Sequence, residues 1–109
     1  MLKTLEWLGS SLDAVRKFPA PAKQLAGYEL HLVQSGRPPS DWKPMPSIGT
    51  GVREIRVHTE LEHRVVYVAN FEEAIYVLHA FEKKSRKTPR HDLELAKSRL
   101  SELRSIRAR

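Results

Sequence analysis

Three short segments, Val52 to His58, His63 to Asn70 and Ala74 to Glu82, are dense in branched and aromatic residues. Such side chains fit a pleated, half-buried surface, so each segment is expected to be a strand. Thr59 to Glu62 and Phe71 to Glu73 separate them, which predicts an antiparallel meander. Leu2 to Leu8 reads as a further, first strand, ended by Gly9-Ser10-Ser11. Elsewhere the apolar spacing is helical. A serine of that break is expected to cap a short helix from Leu12 to Phe18. Pro21 is expected as the first residue of a second helix ending near Gln34 or Ser35, with Gly36 just past its end. Leu25, Tyr28 and Leu32 mark its apolar stripe, widened by Ala26, Leu30 and Val33. Thr88-Pro89 opens a final helix along which Leu93, Ala96, Leu100, Leu103 and Ile106 recur at helical spacing.

Between Arg37 and Gly51 the prolines at 38, 39, 44 and 46 and the glycines at 49 and 51 predict a connecting loop. Trp42, Met45 and Ile48 within it are expected to fold back as a lid on the core edge rather than to serve as a base-stacking platform. The predicted fold is α+β over a single domain, residues 1–109: a twisted antiparallel sheet with two N-terminal helices and one C-terminal helix packed against it.

Charge sharpens this picture. Nineteen Lys and Arg against 13 Asp and Glu leave a formal +6, which favours a polyanionic partner. The excess is concentrated late: Lys83, Lys84, Arg86, Lys87 and Arg90 fall close together, and Lys97, Arg99, Arg104, Arg107 and Arg109 follow. The chain has no cysteine, which excludes disulfides and cysteine zinc sites. His58, His63, His79 and His91 lack metal-ligand spacing, so neither metal nor cofactor is expected. No apolar run approaches the roughly 18 residues of a spanning helix, and Glu6 interrupts the start of the chain. A cytoplasmic protein with no membrane contact is expected.

Side-chain alternation turns the strands into geometry. Glu54 and Arg56 share a face of the first meander strand, opposed to Arg53, Ile55 and Val57. Arg64 begins the second strand, and the third runs out into Lys83-Lys84. Glu54, Arg56, Arg64, Lys83 and Lys84 are therefore expected to converge, one carboxylate among several cations. RNA carries its own nucleophile in the 2′-OH, so such a cluster suffices for cleavage without a metal. A base takes the 2′-OH proton, the oxygen attacks the neighbouring phosphorus, and an acid protonates the departing 5′ oxygen. Glu54 is the candidate base and Arg56 and Arg64 the candidate phosphate clamps. Lys83 or Lys84 is a further clamp or the acid. Arg53, Arg86, Lys87 and Arg90 extend the surface as candidate RNA contacts. Two blander readings stand beside this one: a solvated Glu54–Arg56 charge pair, and a solvated basic run from Lys83 to Lys87.

Four segments together carry a resemblance: Tyr28-Glu29-Leu30-His31-Leu32-Val33-Gln34-Ser35-Gly36 with the prolines after it, Val52-Arg53-Glu54-Ile55-Arg56-Val57, His63-Arg64-Val65-Val66-Tyr67-Val68-Ala69, and Val77 to Pro89. They resemble the phage-related HigB-like branch of the RelE toxin superfamily, the Gp49-like proteins. The resemblance implies a RelE-like fold and a toxin that cleaves messenger RNA on the ribosome. It also implies a cognate helix-turn-helix antitoxin, through which alone DNA would be contacted. Arg64 matches a phosphate-contacting strand arginine of the superfamily, and Lys83, with Lys84 beside it, matches a cationic position at the end of the last strand. Glu54 and Arg56 stand where RelE has lysines, and a glutamate there is similar to the acid-base arrangement of the YoeB branch. The C-terminal catalytic tyrosine of RelE has no counterpart. A non-catalytic basic module that binds RNA or the ribosome is the alternative from a different class.

Overall fold

The computed structural model describes residues 2–109. Its elements are β1 (Thr4–Trp7), α1 (Ser11–Arg16), α2 (Ala20–Gln34), β2 (Trp42–Pro44), β3 (Val52–His58), β4 (Glu62–Val68), β5 (Ala74–Glu82) and α3 (Arg90–Arg107). The five strands form one sheet in the order β1-β5-β4-β3-β2. β2 to β5 are the expected antiparallel meander with one strand added, but β1 runs parallel to β5, so the sheet is mixed rather than antiparallel. The cause is connectivity. From β1 the chain passes through α1 and α2, enters the far edge at β2, and comes back beside β1 after three reversals, travelling in the direction in which it started.

β2 corrects the expectation of an irregular loop from Arg37 to Gly51. It pairs with β3 along Trp42↔Ile55, Lys43↔Glu54 and Pro44↔Arg53. An outer strand tolerates Pro44 because no further strand needs its missing N–H. Met45 and Ile48 do fold back and are buried against α3. Trp42 instead lies in the strand, beneath the Arg53 guanidinium.

Each face of the sheet has its own core. On one, Val15, Phe18, Ala22, Ala26, Leu30 and Val33 from the α1–α2 side cover Ile55, Val57, Val65, Tyr67, Ile75 and Val77. On the other, Ala96, Leu100 and Leu103 of α3 cover Val52, Val66, Val68 and Leu78. Burial of an aliphatic side chain of this size stabilises a fold by about 1.5–3 kcal/mol.

The helix ends depart from expectation in detail. Among the described residues no side chain caps α1 or α3: Ser10 and Pro89 occupy the cap positions without a side-chain cap bond, and the Ser10 hydroxyl accepts from Arg99 instead. α2 begins at Ala20, one residue before Pro21. Its C-terminus ends on Gly36 as expected. With φ of +81°, Gly36 turns the chain so that its N–H reaches the Val33 carbonyl at 3.0 Å and the Arg37 N–H reaches Leu32 at 2.9 Å.

A bulge in β5 changes which side chains share a face. Val66 pairs with His79, but the next residue, Tyr67, pairs with Val77, so Leu78 is inserted. Plain alternation puts Tyr76 and His79 on opposite faces. With the bulge, Leu78 and His79 both turn to α3, the side that Tyr76 also faces through its pairing with Val68.

Candidate functional site

Residues paired directly across neighbouring strands point to the same side of a sheet. Glu54 pairs with Lys43 on β2 and Val66 on β4, while Arg56 pairs with Arg64, which pairs in turn with Phe81 on β5. Glu54, Lys43, Arg56 and Arg64 thus lie on the α3 face, on the part of it that the α3 leucines leave uncovered.

Glu54 has no solvent-accessible surface, and among the described residues neither carboxylate oxygen has a hydrogen-bond partner. Its nearest cation is Arg64, with Nε 3.6 Å from Oε1, too long for a hydrogen bond. Burial pushes the Glu54 carboxyl above the usual carboxylate range, against the opposing pull of Lys43, Arg64, Arg56 and Lys83. A carboxylate stripped of water and hydrogen bonds is costly, and this ring of positive charge offsets part of the cost.

Arg64 is itself held in place. Its Nη1 donates to Glu62 at 3.0 Å and to the His63 carbonyl at 2.9 Å. Glu62 also accepts from His58 at 2.8 Å, and the other ring nitrogen of His58 is 2.5 Å from Asp41. These hydrogen bonds to Asp41 and Glu62 raise the His58 pKa above its ordinary value. A chain of alternating charge therefore runs from Asp41 through His58, Glu62 and Arg64 to Glu54. Lys83 joins just past β5: its backbone N–H donates to the Glu62 carbonyl at 2.7 Å and its Nζ to the Arg86 carbonyl at 2.6 Å.

His79 lies on the same face and is fully engaged. Nε2 is 2.6 Å from Asp92 and Nδ1 is 3.2 Å from the Arg99 guanidinium, which also donates to the Leu78 carbonyl. Because a guanidinium only donates, Nδ1 accepts, and the proton sits on Nε2, facing Asp92. Burial lowers the His79 pKa, against the upward pull of Asp92. A neutral imidazole with both nitrogens taken pins α3 to β5 and has none free for proton transfer.

The structure brings together Glu54, Arg56, Arg64 and Lys83. It does not bring the others. Lys84, Arg86, Lys87 and Arg90 are exposed and are not among the cations whose field lowers the Glu54 pKa. Arg53 pairs with Tyr67 and points to the opposite face. Lys43 is the residue that sequence reasoning missed. Its only sequence signal was the polar position between Trp42 and Pro44, too short a stretch for alternation to stand out among prolines. Among the described residues no three His, Asp or Glu side chains are grouped to hold a metal ion, and no helix is long and apolar enough to cross a membrane.

These features define an α+β protein with a mixed five-stranded sheet, helices on both faces, and a buried carboxylate ringed by cations where one face is left free. The chain belongs to the phage-derived Gp49-like family, whose model, described as "Phage derived protein Gp49-like", matches residues 13–101. Gp49-like proteins are RelE-type toxins of toxin–antitoxin systems, the branch that the sequence resemblance named. A comparison with curated proteins gives no significant match.

Proposed function

We propose that this chain is the toxin of a toxin–antitoxin pair and a metal-independent endoribonuclease that cleaves messenger RNA at the Glu54 cluster. The observation that carries the reading is the buried, hydrogen-bond-free Glu54 carboxylate with Lys43, Arg56, Arg64 and Lys83 around it. Lys43, Arg56 and Lys83 are partly exposed and would meet a phosphate first; Arg64 lies beneath them, 7% exposed. An entering phosphate draws the outer cations toward itself and uncovers Glu54. A carboxyl whose pKa is raised toward neutrality is then a fitting acceptor for the 2′-OH proton. The 2′ oxygen attacks phosphorus, the bond to the 5′ oxygen breaks, and Lys83 gives that oxygen its proton. The products are a 2′,3′-cyclic phosphate and a 5′-hydroxyl. Once gathered on the phosphate, the cations stabilise the doubly charged phosphorane more than the ground state.

The RelE-like reading of the fold, the ribosome as the place of cleavage, the helix-turn-helix antitoxin and a cytoplasmic location go with this proposal and rest on the family. The direct test is induced expression followed by primer extension on a message with and without translating ribosomes. New 5′-hydroxyl ends that vanish in Glu54→Gln and Lys83→Gln support the reading, and unchanged ends in both variants reject it. One observation favours a second reading. Glu54 is completely covered at rest, as a purely electrostatic anchor for a basic RNA- or ribosome-binding surface would be. That module would arrest translation without producing new RNA ends.

A further inference from the structure

The opposite face of the sheet carries a second concentration of positive charge. A cavity of about 280 Å³ opens between the end of α2 and the sheet, lined by Lys3, Arg37, Arg53 and Tyr67 together with Val33 and Ala69. No acidic side chain is among its described lining residues. Tyr67 has no solvent-accessible surface, and its hydroxyl has no hydrogen-bond partner among the described residues. A buried hydroxyl left unpaired costs stability, and it persists where something else uses it. Burial raises the Tyr67 pKa, and nearby Arg53 pulls it down without making a well-formed hydrogen bond.

Of the cations around this hydroxyl, Lys3 and Arg53 are held by side-chain contacts. The Lys3 ammonium donates to the carbonyls of Ala69 at 3.1 Å and Phe71 at 2.6 Å, which leaves one N–H over. Arg53 lies 4.2 Å above the Trp42 ring. Arg37 follows the Gly36 turn that ends α2. The helix carbonyls that would repel an anion here are occupied: Leu32, Val33 and Gln34 accept from Arg37, Gly36 and Lys3.

We propose that this cavity is a second anion site, separate from the Glu54 cluster, that takes the phosphate group of a small phosphate monoester or of free phosphate. Three cations with no local carboxylate match a doubly charged oxyanion better than a singly charged one. Two guanidiniums and an unpaired hydroxyl supply several directed donors for its oxygens. The site does not depend on the nuclease reading.

Trp42 reports on it, because it pairs with Ile55 and so shares the face of Arg53. In a Trp7→Phe background, titration with inorganic phosphate should change Trp42 fluorescence saturably, and sodium chloride at matched ionic strength should not. Adenosine monophosphate forms the second arm; tighter binding than free phosphate assigns the ligand as a monoester, and equal binding assigns the ion. Tyr67→Phe and Arg37→Gln should each weaken binding about tenfold or more, the worth of one lost hydrogen bond to a charged group. Tyr67→Phe should unfold no earlier on heating than the parent protein, since it discards an unpaired buried hydroxyl. Should that variant be unstable, the exposed Arg37→Gln decides alone. A fluorescence change reproduced by chloride, or undiminished binding in the variants that fold, overturns the proposal.

Discussion

The two faces of this sheet are built from alternate residues of the same strands, yet they are buried by different means. On the α1–α2 face, aliphatic and aromatic side chains run from β3 through β4 to β5, and helices close over them. On the α3 face only part is apolar, and Glu54 and Arg64 are buried without a covering helix, by Lys43, Arg56, Lys83 and one another. Burial by packing leaves few polar atoms unpaired on that face, the Tyr67 hydroxyl and Nδ1 of His63. Burial by mutually compensating charge leaves both Glu54 oxygens without a donor, and leaves Nε of Arg56 and Arg64 unpaired and able to donate to a phosphate.

The largest expected effect tests whether the packed half behaves as an ordinary core. Leu100→Ala, in the middle of the α3 contact, should cost about 2–5 kcal/mol of unfolding free energy in a denaturant titration. If it costs no more than an exposed-site change, α3 is not the cover described. Next, Glu54→Gln should lower RNA cleavage about 100-fold or more, the range of a lost general base. RNA binding should hold or tighten, because a negative charge is gone while the cations stay. Loss of binding and cleavage together would make Glu54 an organiser of the cations instead. On the proposed reading, cleavage by the parent protein should fall on acidification at a pH above the usual carboxylate range, because the Glu54 pKa is raised. A pH profile that is flat through that region would speak against Glu54 as base.

A smaller effect concerns the pin between the halves. Asp92→Ala strands the His79 Nε2–H, 2.6 Å from the lost carboxylate, and should cost about 1–3 kcal/mol. The smallest is a contrast in pH dependence between two histidines. His58 has a raised pKa, so its stabilising contribution is complete below the ordinary value of 6.5 and fades as pH climbs through the higher folded value. His79 has a lowered one, so its contribution is complete above 6.5 and fades as pH drops through the lower folded value. Urea midpoints against pH should therefore flatten on the alkaline side in His58→Gln and on the acid side in His79→Gln. Because His58 is half exposed, its change should be the weaker.

Much of this arrangement was readable along the chain. Branched runs over β3, β4 and β5, helical spacing over α2 and α3, and Gly36 as a helix stop are local signals, set by side-chain shape and backbone preference within a few residues. Alternation within β3 likewise put Glu54 and Arg56 on one face and Arg53 on the other. What folding alone decided depends on pairings between distant segments. Three residues among prolines become β2 because the edge of β3 is there to receive them, and only that pairing sets Lys43 beside Glu54. β1 lies parallel to β5 because of where the chain re-enters the sheet. One inserted residue, Leu78, turns His79 from its expected face toward Asp92 and Arg99. The complete burial of Glu54 belongs here too, since a charge loses its water only when side chains from several strands close around it.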